Sequence, residues 1–340
     1  MGKSGRRAHR EGRVADLVVQ TTDYHTAGEP FRIVTGGVEP LRGATILDKR
    51  RFALERLDDV RKLLVHEPRG HADMYGCFVT EPNDGDADLG VVFFHNAGYS
   101  TACGHGTIAL VTWALETGRL EAAEPETGVV VDVPSGRLQT VASVRDGRVE
   151  RVRFTNVPSY VEALGLAAAG LDVDIAFGGA FYASVESPLP VRKKSLPRLI
   201  ELGREVKREL EARREFVHPL EPELRDIYGV VFFERVEDAS PLRQRNVTVF
   251  ADGEVDRSPC GSGTSARLAL LDASGELTRG EELAHESIVG TVFAARVVGD
   301  ADVAGRPAVI TDVEGSAHRT GEHELVLAAG DELGTGFLLR

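Results

Sequence analysis

A five-residue motif, C-G-x-G-T, occurs twice in this chain of 340 residues and constrains its fold more than any other feature. The first copy occupies residues 103–107 and the second residues 260–264. Each copy follows an apolar run and opens a helix-like segment, which ends eleven positions after the threonine, at Gly118 or Gly275. A strand, a glycine turn and a helix closed by a C′ glycine are therefore predicted twice. This repetition indicates a duplicated fold.

Each motif places a cysteine, Cys103 or Cys260, at the first turn of its predicted helix. Because a helix N-terminus favours negative charge, we expect it to lower the pKa of the thiol toward neutrality and to make a thiolate available as base or nucleophile. The exposed backbone N–H groups suit an anionic group such as a carboxylate. If the two repeats pack face to face, one thiol lies on each side of a bound molecule. Inversion of a stereocentre requires two such bases on opposite faces of one carbon.

The same glycines allow a second interpretation. Residues 104–109 and 261–266 both match G-x-G-x-x-A, a pattern found where a strand turns into a helix beside the pyrophosphate of a dinucleotide. A dinucleotide-binding oxidoreductase is therefore an alternative. It does not explain the thiol before each motif, and no strand about twenty residues further on ends cleanly in an acidic residue that would hold a ribose.

Several other segments resemble the proline racemase family, which includes hydroxyproline 2-epimerases and trans-3-hydroxy-L-proline dehydratases. The segments that carry the likeness are residues 23–30 (DYHTAGEP), 68–76 (PRGHADMYG), 95–100 (HNAGYS) and 256–261 (DRSPCG). The resemblance covers nearly everything after the first fifteen residues. It implies an α+β fold of two pseudo-symmetric domains, similar to diaminopimelate epimerase. Each domain would be a curled, mostly antiparallel sheet around a central helix, with the active site in the interdomain cleft.

The resemblance also implies roles for residues in and beside the two motifs. Cys103 and Cys260 would transfer the α-proton, and Asp256, with His105, would hold the ring ammonium of an imino acid. The residues implied around the substrate carboxylate are Gly104, His105, Gly261 and Ser262. This chemistry needs neither a metal nor a pyridoxal cofactor, and the histidines show no short paired ligand spacing. We therefore expect no cofactor and no metal.

The second cysteine bears on which reaction of the family is expected. In the dehydratases of the family this position is usually threonine, so that one base acts and a ring hydroxyl leaves. Cys260 therefore implies a proline racemase or a 4-hydroxyproline 2-epimerase. Two other features resemble the dehydratase branch. Ala180 stands where many racemases and epimerases carry asparagine, and the sequences of residues 69–75 and 246–255 are closer to those of the dehydratases. A trans-3-hydroxy-L-proline dehydratase is the alternative.

Charge and composition bear on the partner and the compartment. A net charge of −13 with a sequence pI near 5.3 argues against nucleic acid or an anionic membrane, because either would repel the chain. A small imino acid is the expected partner, and the resemblance adds a homodimer. Three cysteines cannot form a disulfide framework, and two catalytic thiols must stay reduced, so we expect a cytoplasmic protein. Cys77, in an apolar stretch without a glycine turn, is predicted to be a small buried side chain.

The length suits two domains of ordinary size. We predict a disordered basic tail over residues 1–14, a first domain of residues 15–157 plus about 328–340, and a second domain of residues 158–327. The end of the chain is thus expected to cross back and complete the sheet of the first domain. Residues 47–66 are predicted to form one amphipathic helix with Asp48 as its N-cap.

Overall fold

The computed structural model describes residues 16–237 and 239–339. The basic tail predicted for residues 1–14 lies outside the described residues. Within them, eighteen strands form one continuous sheet that curls around two central helices, α3 (Gly104–Glu116) and α5 (Gly261–Ser274). None of the helices in this part of the chain has the length and apolar character needed to span a membrane.

The elements divide into two series along the chain. The first series is β1 (Leu17–Thr26), β2 (Glu29–Gly36), α1 (Ile46–Arg56), α2 (Asp58–Val65), β3 (Tyr75–Thr80), β4 (Leu89–His95), β5 (Gly98–Tyr99), α3, β6 (Glu126–Val133), β7 (Gly136–Arg145) and β8 (Arg148–Thr155). The second series is β9 (Tyr160–Ala168), β10 (Leu171–Phe177), β11 (Phe181–Glu186), α4 (Leu196–Glu211), β12 (Ile227–Val236), β13 (Leu242–Phe250), β14 (Glu254–Asp256), α5, β15 (Leu283–Ser287), β16 (Val292–Val303) and β17 (Arg306–Gly315). The last strand is β18 (Ala317–Leu327).

The strand pairings follow the same order in both halves, which confirms the duplication predicted from the two motifs. In the first half, β18, β1 and β2 are antiparallel neighbours, β2 and β3 are parallel, β3 and β4 antiparallel, β4 and β6 parallel, and β6, β7 and β8 antiparallel. In the second half the same pattern runs through β9, β10, β11, β12, β13, β15, β16 and β17. Strands β8 and β17 pair with each other and join the two halves.

Strand β18 takes the place in the first half that β9 takes in the second. It pairs along its whole length with β1, so the end of the chain closes the sheet in which the chain began. The predicted domain limits near residues 157 and 328 stay predictions, although this returning strand already begins at Ala317. The predicted α+β class is confirmed, with a curled, mostly antiparallel sheet around one helix in each half.

Both central helices are enclosed by their sheets. Residues 104–115 of α3 and residues 261–271 of α5 are buried without exception. Helix α4, in contrast, is buried along one apolar face and lies on the outside of the second sheet. A helix without an exposed face belongs in a core, and this enclosure positions the N-terminus of each central helix toward the other half.

The single helix predicted for residues 47–66 is wrong, because α1 and α2 meet at Leu57. Thr45 is the N-cap of α1, and Asp48 is its partner in a capping box, accepting the backbone N–H of Thr45 at 2.9 Å. The apolar periodicity continues across the break because both helices pack on β4. Periodicity alone therefore could not reveal the break.

Candidate active site

The two cysteines are the N-caps of the central helices, as their positions in the motif predicted. The helices begin at Gly104 and Gly261, so the predicted glycine turn is in fact the first turn of each helix. Cys103 Sγ accepts the backbone N–H of Gly106 at 3.3 Å. Cys260 has a φ of 63°, a left-handed conformation that is strained for a residue with a Cβ atom.

Packing explains most positions of the motif. The first glycines of the two copies touch, because a Cβ atom added to Gly104 would lie 2.6 Å from Cα of Gly261. The second glycine makes room for the sulfur: a Cβ atom on Gly106 would lie 2.7 Å from Cys103 Sγ, and the corresponding distance in the second copy is 2.9 Å. The hydroxyl of Thr107 donates to the carbonyl of Cys103 at 2.9 Å and ties the helix start together.

The two thiols line one small cavity between the halves. All seven residues predicted for the site line this cavity: Cys103, Gly104, His105, Asp256, Cys260, Gly261 and Ser262. Its volume is only about 10 Å³, about the space that one water molecule needs, so a five-membered ring does not fit. A substrate can therefore enter only when the two halves move apart.

Burial raises the pKa of both thiols, which contradicts the lowering predicted from the helix N-termini. For Cys103, burial raises the pKa well above its ordinary value; the Gly106 N–H opposes this shift, and Asp256 adds to it. For Cys260, burial and then Asp256 raise the pKa to about 12. The N–H groups of a helix start favour the thiolate, but loss of contact with water outweighs them. Both shifts favour the neutral thiol over the thiolate.

Asp256 is a buried carboxylate at the wall of the cavity. Its Oδ1 accepts hydrogen bonds from the N–H of Ser258 at 2.8 Å and from the Ser258 hydroxyl at 2.7 Å. Its Oδ2 lies 3.7 Å from His105 Nδ1, and His105 Nε2 lies 3.4 Å from Cys103 Sγ. A carboxylate in this position attracts a small cation such as a secondary ammonium.

Sequence reasoning missed four aromatic residues that line the same cavity, Tyr75, Tyr182, Tyr228 and Phe250. The hydroxyls of Tyr75 and Tyr228 are 2.9 Å apart, so this hydrogen bond links the two halves across the cavity. Tyr75 lies within one of the family-like segments, which was a signal that could have found it. The sequence placed Tyr228 and Phe250 in apolar strands but gave no indication that they line the cavity.

Tyr182 adds a polar contact to the second thiol. Its hydroxyl is 2.6 Å from Ser262 Oγ and 3.8 Å from Cys260 Sγ. It lies in a segment that contains two consecutive glycines, Gly178 and Gly179. In the structure, a Cβ atom on Gly178 would lie 2.3 Å from the carbonyl oxygen of Ser262. The glycines therefore bring this tyrosine up to the start of α5.

A second contact between the halves holds the loop that carries Asp256 and Cys260. The backbone N–H of Arg257 donates to Glu29 Oε2 at 2.7 Å, and its guanidinium donates to the carbonyl of Asp73 at 3.1 Å. The side chain of Glu29 is fully buried, and burial followed by Asp256 raises its pKa well above the ordinary value. Separation of the two halves must break these contacts, so they favour the closed cleft.

Cys77 stands apart from the thiol pair. It is buried in the apolar core and does not line the cavity, which confirms its predicted location. Burial raises the pKa of this thiol well above its ordinary value. Over residues 16–237 and 239–339, no three His, Cys, Asp or Glu side chains form a group that could hold a metal ion.

Comparison with known proteins gives one consistent result. The sequence model of the family described as proline racemase matches residues 21–338. A Bacillus cereus protein named trans-3-hydroxy-L-proline dehydratase is 44% identical over 329 residues, which are 95% of this chain and 98% of that protein. A Burkholderia multivorans protein named 3-hydroxyproline 2-epimerase is 46% identical over 330 residues, with the same shares. A hydroxyproline epimerase from Agrobacterium vitis, crystallised with trans-4-OH-L-proline, has a TM-score of 0.88 and 33% identity, covering 95% of this chain and 96% of that one.

Proposed function

The chain belongs to the proline racemase family, and we propose that it inverts the α-carbon of proline or 4-hydroxyproline by passing protons between that carbon and the pair Cys103 and Cys260. One observation carries the proposal: two thiols from corresponding helix starts line the same small cavity. A proton removed from one face of a carbon and returned to the other face inverts it.

Charge complementarity supports an imino acid as the substrate. The ring ammonium would pair with Asp256, which lines the cavity and whose Oδ2 lies 3.7 Å from His105 Nδ1. The substrate carboxylate would accept N–H groups at the starts of α3 and α5, where Gly104, Gly261 and Ser262 line the cavity. The bound ammonium would also offset the charge of Asp256, which is one of the causes that raise the pKa of both thiols.

The proton transfers follow from this arrangement. One cysteine, as thiolate, takes the α-proton, and the electron pair of the broken C–H bond moves toward the carboxylate. The N–H groups at the helix starts stabilise this developing charge. The other cysteine, as thiol, gives its proton to the opposite face and becomes the thiolate. The two groups therefore titrate as a coupled pair, and the small cavity keeps water away from the carbanionic carbon.

Incubation in D₂O tests this function. L-Proline and trans-4-hydroxy-L-proline are each incubated with the enzyme; deuterium at the α-carbon is followed by NMR and inversion by polarimetry. We expect deuterium in the inverted product of at least one of them. Absence of exchange with either one at high enzyme concentration would refute the proposal.

Dehydration of trans-3-hydroxy-L-proline is the second candidate. Relatives of that name are 44% identical over nearly the whole chain, and Ala180 packs in the same cluster as Cys260. Assay with o-aminobenzaldehyde separates the two reactions, because only dehydration yields the cyclic imine that this reagent reports. Imine formation without inversion would favour the dehydratase.

A dinucleotide-binding oxidoreductase is disfavoured, because the first glycines of both G-x-G-x-x-A patterns contact each other instead of framing a phosphate site. Iodoacetamide labelling provides the direct comparison. Pyrrole-2-carboxylate, a planar mimic of deprotonated proline, should protect Cys103 and Cys260 from alkylation, whereas NAD should not. Protection by NAD alone would reverse this preference.

A further inference from the structure

The wall of the second sheet that faces α5 is polar although it is buried. Gln244, Asn246 and Thr248 alternate along β13, so their side chains share one face. This face points at α5, because Arg267 Nε donates to Gln244 Oε1 at 2.9 Å. Five buried atoms of this wall and of α5 lack a hydrogen-bond partner within the described residues: Gln244 Nε2, Asn246 Oδ1, Thr248 Oγ1, Arg267 Nη2 and His285 Nε2.

These side chains lie in one compartment between β13, β15 and α5. Gln244 and His285 are paired in the register of the two parallel strands. Nδ1 of His285 is 2.7 Å from the hydroxyl of Thr264, which lies one helical turn before Arg267 on α5. The exposed fraction is 4% for Arg267 and 0% for Gln244, Asn246, Thr248 and His285. The unpartnered atoms of these five side chains therefore cannot form hydrogen bonds with water at the protein surface.

The corresponding wall around α3 is apolar. The step of 157 positions that relates Cys103 to Cys260 relates Leu110 to Arg267 (110 + 157 = 267). Three further counterparts follow when the last residues of β4 and β13 are matched and both strands are counted backwards. The fourth follows from the partner strands, because Leu89 pairs with Val131 as Gln244 pairs with His285. In the order Gln244, Asn246, Thr248 and His285, these counterparts are Leu89, Val91, Phe93 and Val131, all buried in the apolar core.

The contrast shows that the fold itself does not require the polar groups. An apolar set fills the same place in the first half, and a buried polar atom without a partner is destabilising. Native proteins hydrogen-bond such groups to internal water. Neighbouring side chains on one face of a strand are about 7 Å apart, a gap that one water bridges through two hydrogen bonds of about 2.8 Å. The five atoms therefore provide hydrogen-bonding sites for a file of internal waters along α5.

This file would connect Cys260 with the surface. At the inner end, the Thr248 hydroxyl neighbours the Cys260 thiol, whose pKa it lowers against the larger effect of burial, and no protein group within the described residues completes a hydrogen bond to Thr248 Oγ1. At the outer end, Arg267 stacks on the ring of Phe233 at 3.8 Å, and the exposed Arg235 stacks on the same ring. The rise of α5 between Cys260 and Arg267 is about 10 Å, a length that a few waters span.

We propose that the polar compartment behind Cys260 is a proton path between this thiol and solvent, and that Cys103 has no such path. The inference rests on the proposed two-thiol chemistry, in which every inversion moves a proton from one thiol to the other. In the path, the Cys260 S–H proton passes to Thr248 Oγ1, the Thr248 hydroxyl proton passes to a water, and a proton leaves to bulk solvent. The sulfur keeps its electron pair and becomes a thiolate, and the reverse sequence of transfers returns a proton to it.

Two single-thiol variants isolate the exchange at each cysteine. Cys103→Ala can exchange the α-proton only through Cys260, and Cys260→Ala only through Cys103, each for one enantiomer of the substrate. We expect Thr248→Val to slow deuterium wash-in roughly tenfold or more in the Cys103→Ala background and to leave it unchanged in the Cys260→Ala background. Equal effects of Thr248→Val in the two backgrounds would overturn the path.

A second variant separates the path from the hydrogen bond at the thiol. Asn246→Leu interrupts the file without removing the Thr248 hydroxyl, so it should slow exchange through Cys260 in the same way. The matched control is Thr112→Val, which removes a buried hydroxyl from α3 whose hydrogen bond goes to the carbonyl of Ile108 at 2.8 Å. Exchange through either cysteine should survive this change. Unaltered exchange through Cys260 in both path variants refutes the inference.

Hydration of the compartment gives a readout that does not depend on activity. A high-resolution crystal structure of the wild-type protein should show ordered waters on Asn246 Oδ1 and His285 Nε2, and Asn246→Leu should displace them. A dry compartment, or a single bound anion in place of the waters, overturns the path whatever the enzyme does. If the waters are present but neither single-thiol variant exchanges any proline derivative, the proposed function fails and the hydrated compartment stands.

Discussion

Gly104 and Gly261 face each other so closely that a Cβ atom on Gly104 would lie 2.6 Å from Cα of Gly261. The two central helices therefore meet through bare backbone at their first residues. Because Cys103 and Cys260 immediately precede these glycines, the same contact brings both thiols to one cavity. The duplicated halves are thus joined at the duplicated motif itself.

Replacement of either glycine by alanine should damage both stability and activity. In Gly104→Ala the added methyl group meets backbone that cannot move aside without separating the helix starts, so we expect destabilisation of about 1–3 kcal/mol and loss of inversion. Gly85→Ala is the matched control, because nothing lies within 4 Å of a Cβ atom at this position. Thermal unfolding and the deuterium assay measure the two effects. Wild-type activity in Gly104→Ala would contradict the close contact.

Asp256→Asn should change alkylation and catalysis in opposite directions. The Asp256 charge is one cause of the raised pKa of both thiols, so its removal should lower both pKa values and speed iodoacetamide labelling at about pH 8. The same change removes the partner of the substrate ammonium, which should raise KM roughly 10- to 100-fold. Labelling rates followed by mass spectrometry and steady-state kinetics test the pair of effects. Slower labelling would show that the carboxylate does not oppose the thiolates.

Cys260→Thr should separate inversion from exchange. A hydroxyl has a far higher pKa than a thiol, so it cannot supply or take the α-proton near neutral pH, and inversion should fall by roughly 10³-fold or more. Exchange through Cys103 should persist for one enantiomer. Cys77→Ala serves as control, because Cys77 is buried but does not line the cavity. Undiminished inversion would mean that the second base is another group, whereas new formation of cyclic imine would indicate a dehydratase-like pocket.

Folding stability should fall as the pH drops below 6.5, because His285 is buried as a neutral imidazole. Burial, with Arg267 as a second cause, lowers the pKa of His285 from 6.5 to about 3. Between these values the unfolded chain binds a proton that the folded chain does not. The contribution of His285 to the free energy of unfolding is therefore complete above pH 6.5, declines by about 1.4 kcal/mol per pH unit below it, and is lost near pH 3.

Urea unfolding between about pH 7.5 and pH 4.5 measures this contribution. His285→Gln should reduce the decline by the amount expected for one group, because glutamine does not titrate. His71→Gln is the control, since His71 is exposed and lies outside the buried compartment. If wild type and His285→Gln lose stability equally with falling pH, the neutral state of His285 is not what links stability to pH.

Local features of the structure were predictable from the sequence where local rules suffice. The duplication, the helix-start positions of Cys103 and Cys260, and the left-handed glycines that end the helices all follow from motif spacing, and the structure has them, with Gly118 at C′ as predicted and Gly275 one position earlier, at the C-cap. The helical segments were predicted to begin after the glycines, at residues 108 and 265, because glycine usually marks a turn, whereas both helices begin four residues earlier. Here the glycines are required inside the first helical turn by the contact between Gly104 and Gly261 and by the volume of the two sulfur atoms.

Only the tertiary structure decided how the two thiols differ from that local prediction and from each other. The prediction that the thiol pKa falls took account only of the helix N-terminus. The enclosing sheets remove water from both sulfurs, and this raises the pKa of both thiols instead. Likewise Leu110 and Arg267 occupy corresponding positions, yet one meets an apolar wall and the other a polar one. Spacing and propensity act within a few residues of chain, so they specify the motif and its helices. Desolvation and hydrogen bonding depend on strands that are distant in sequence, so they are settled only when the sheets close around the helices.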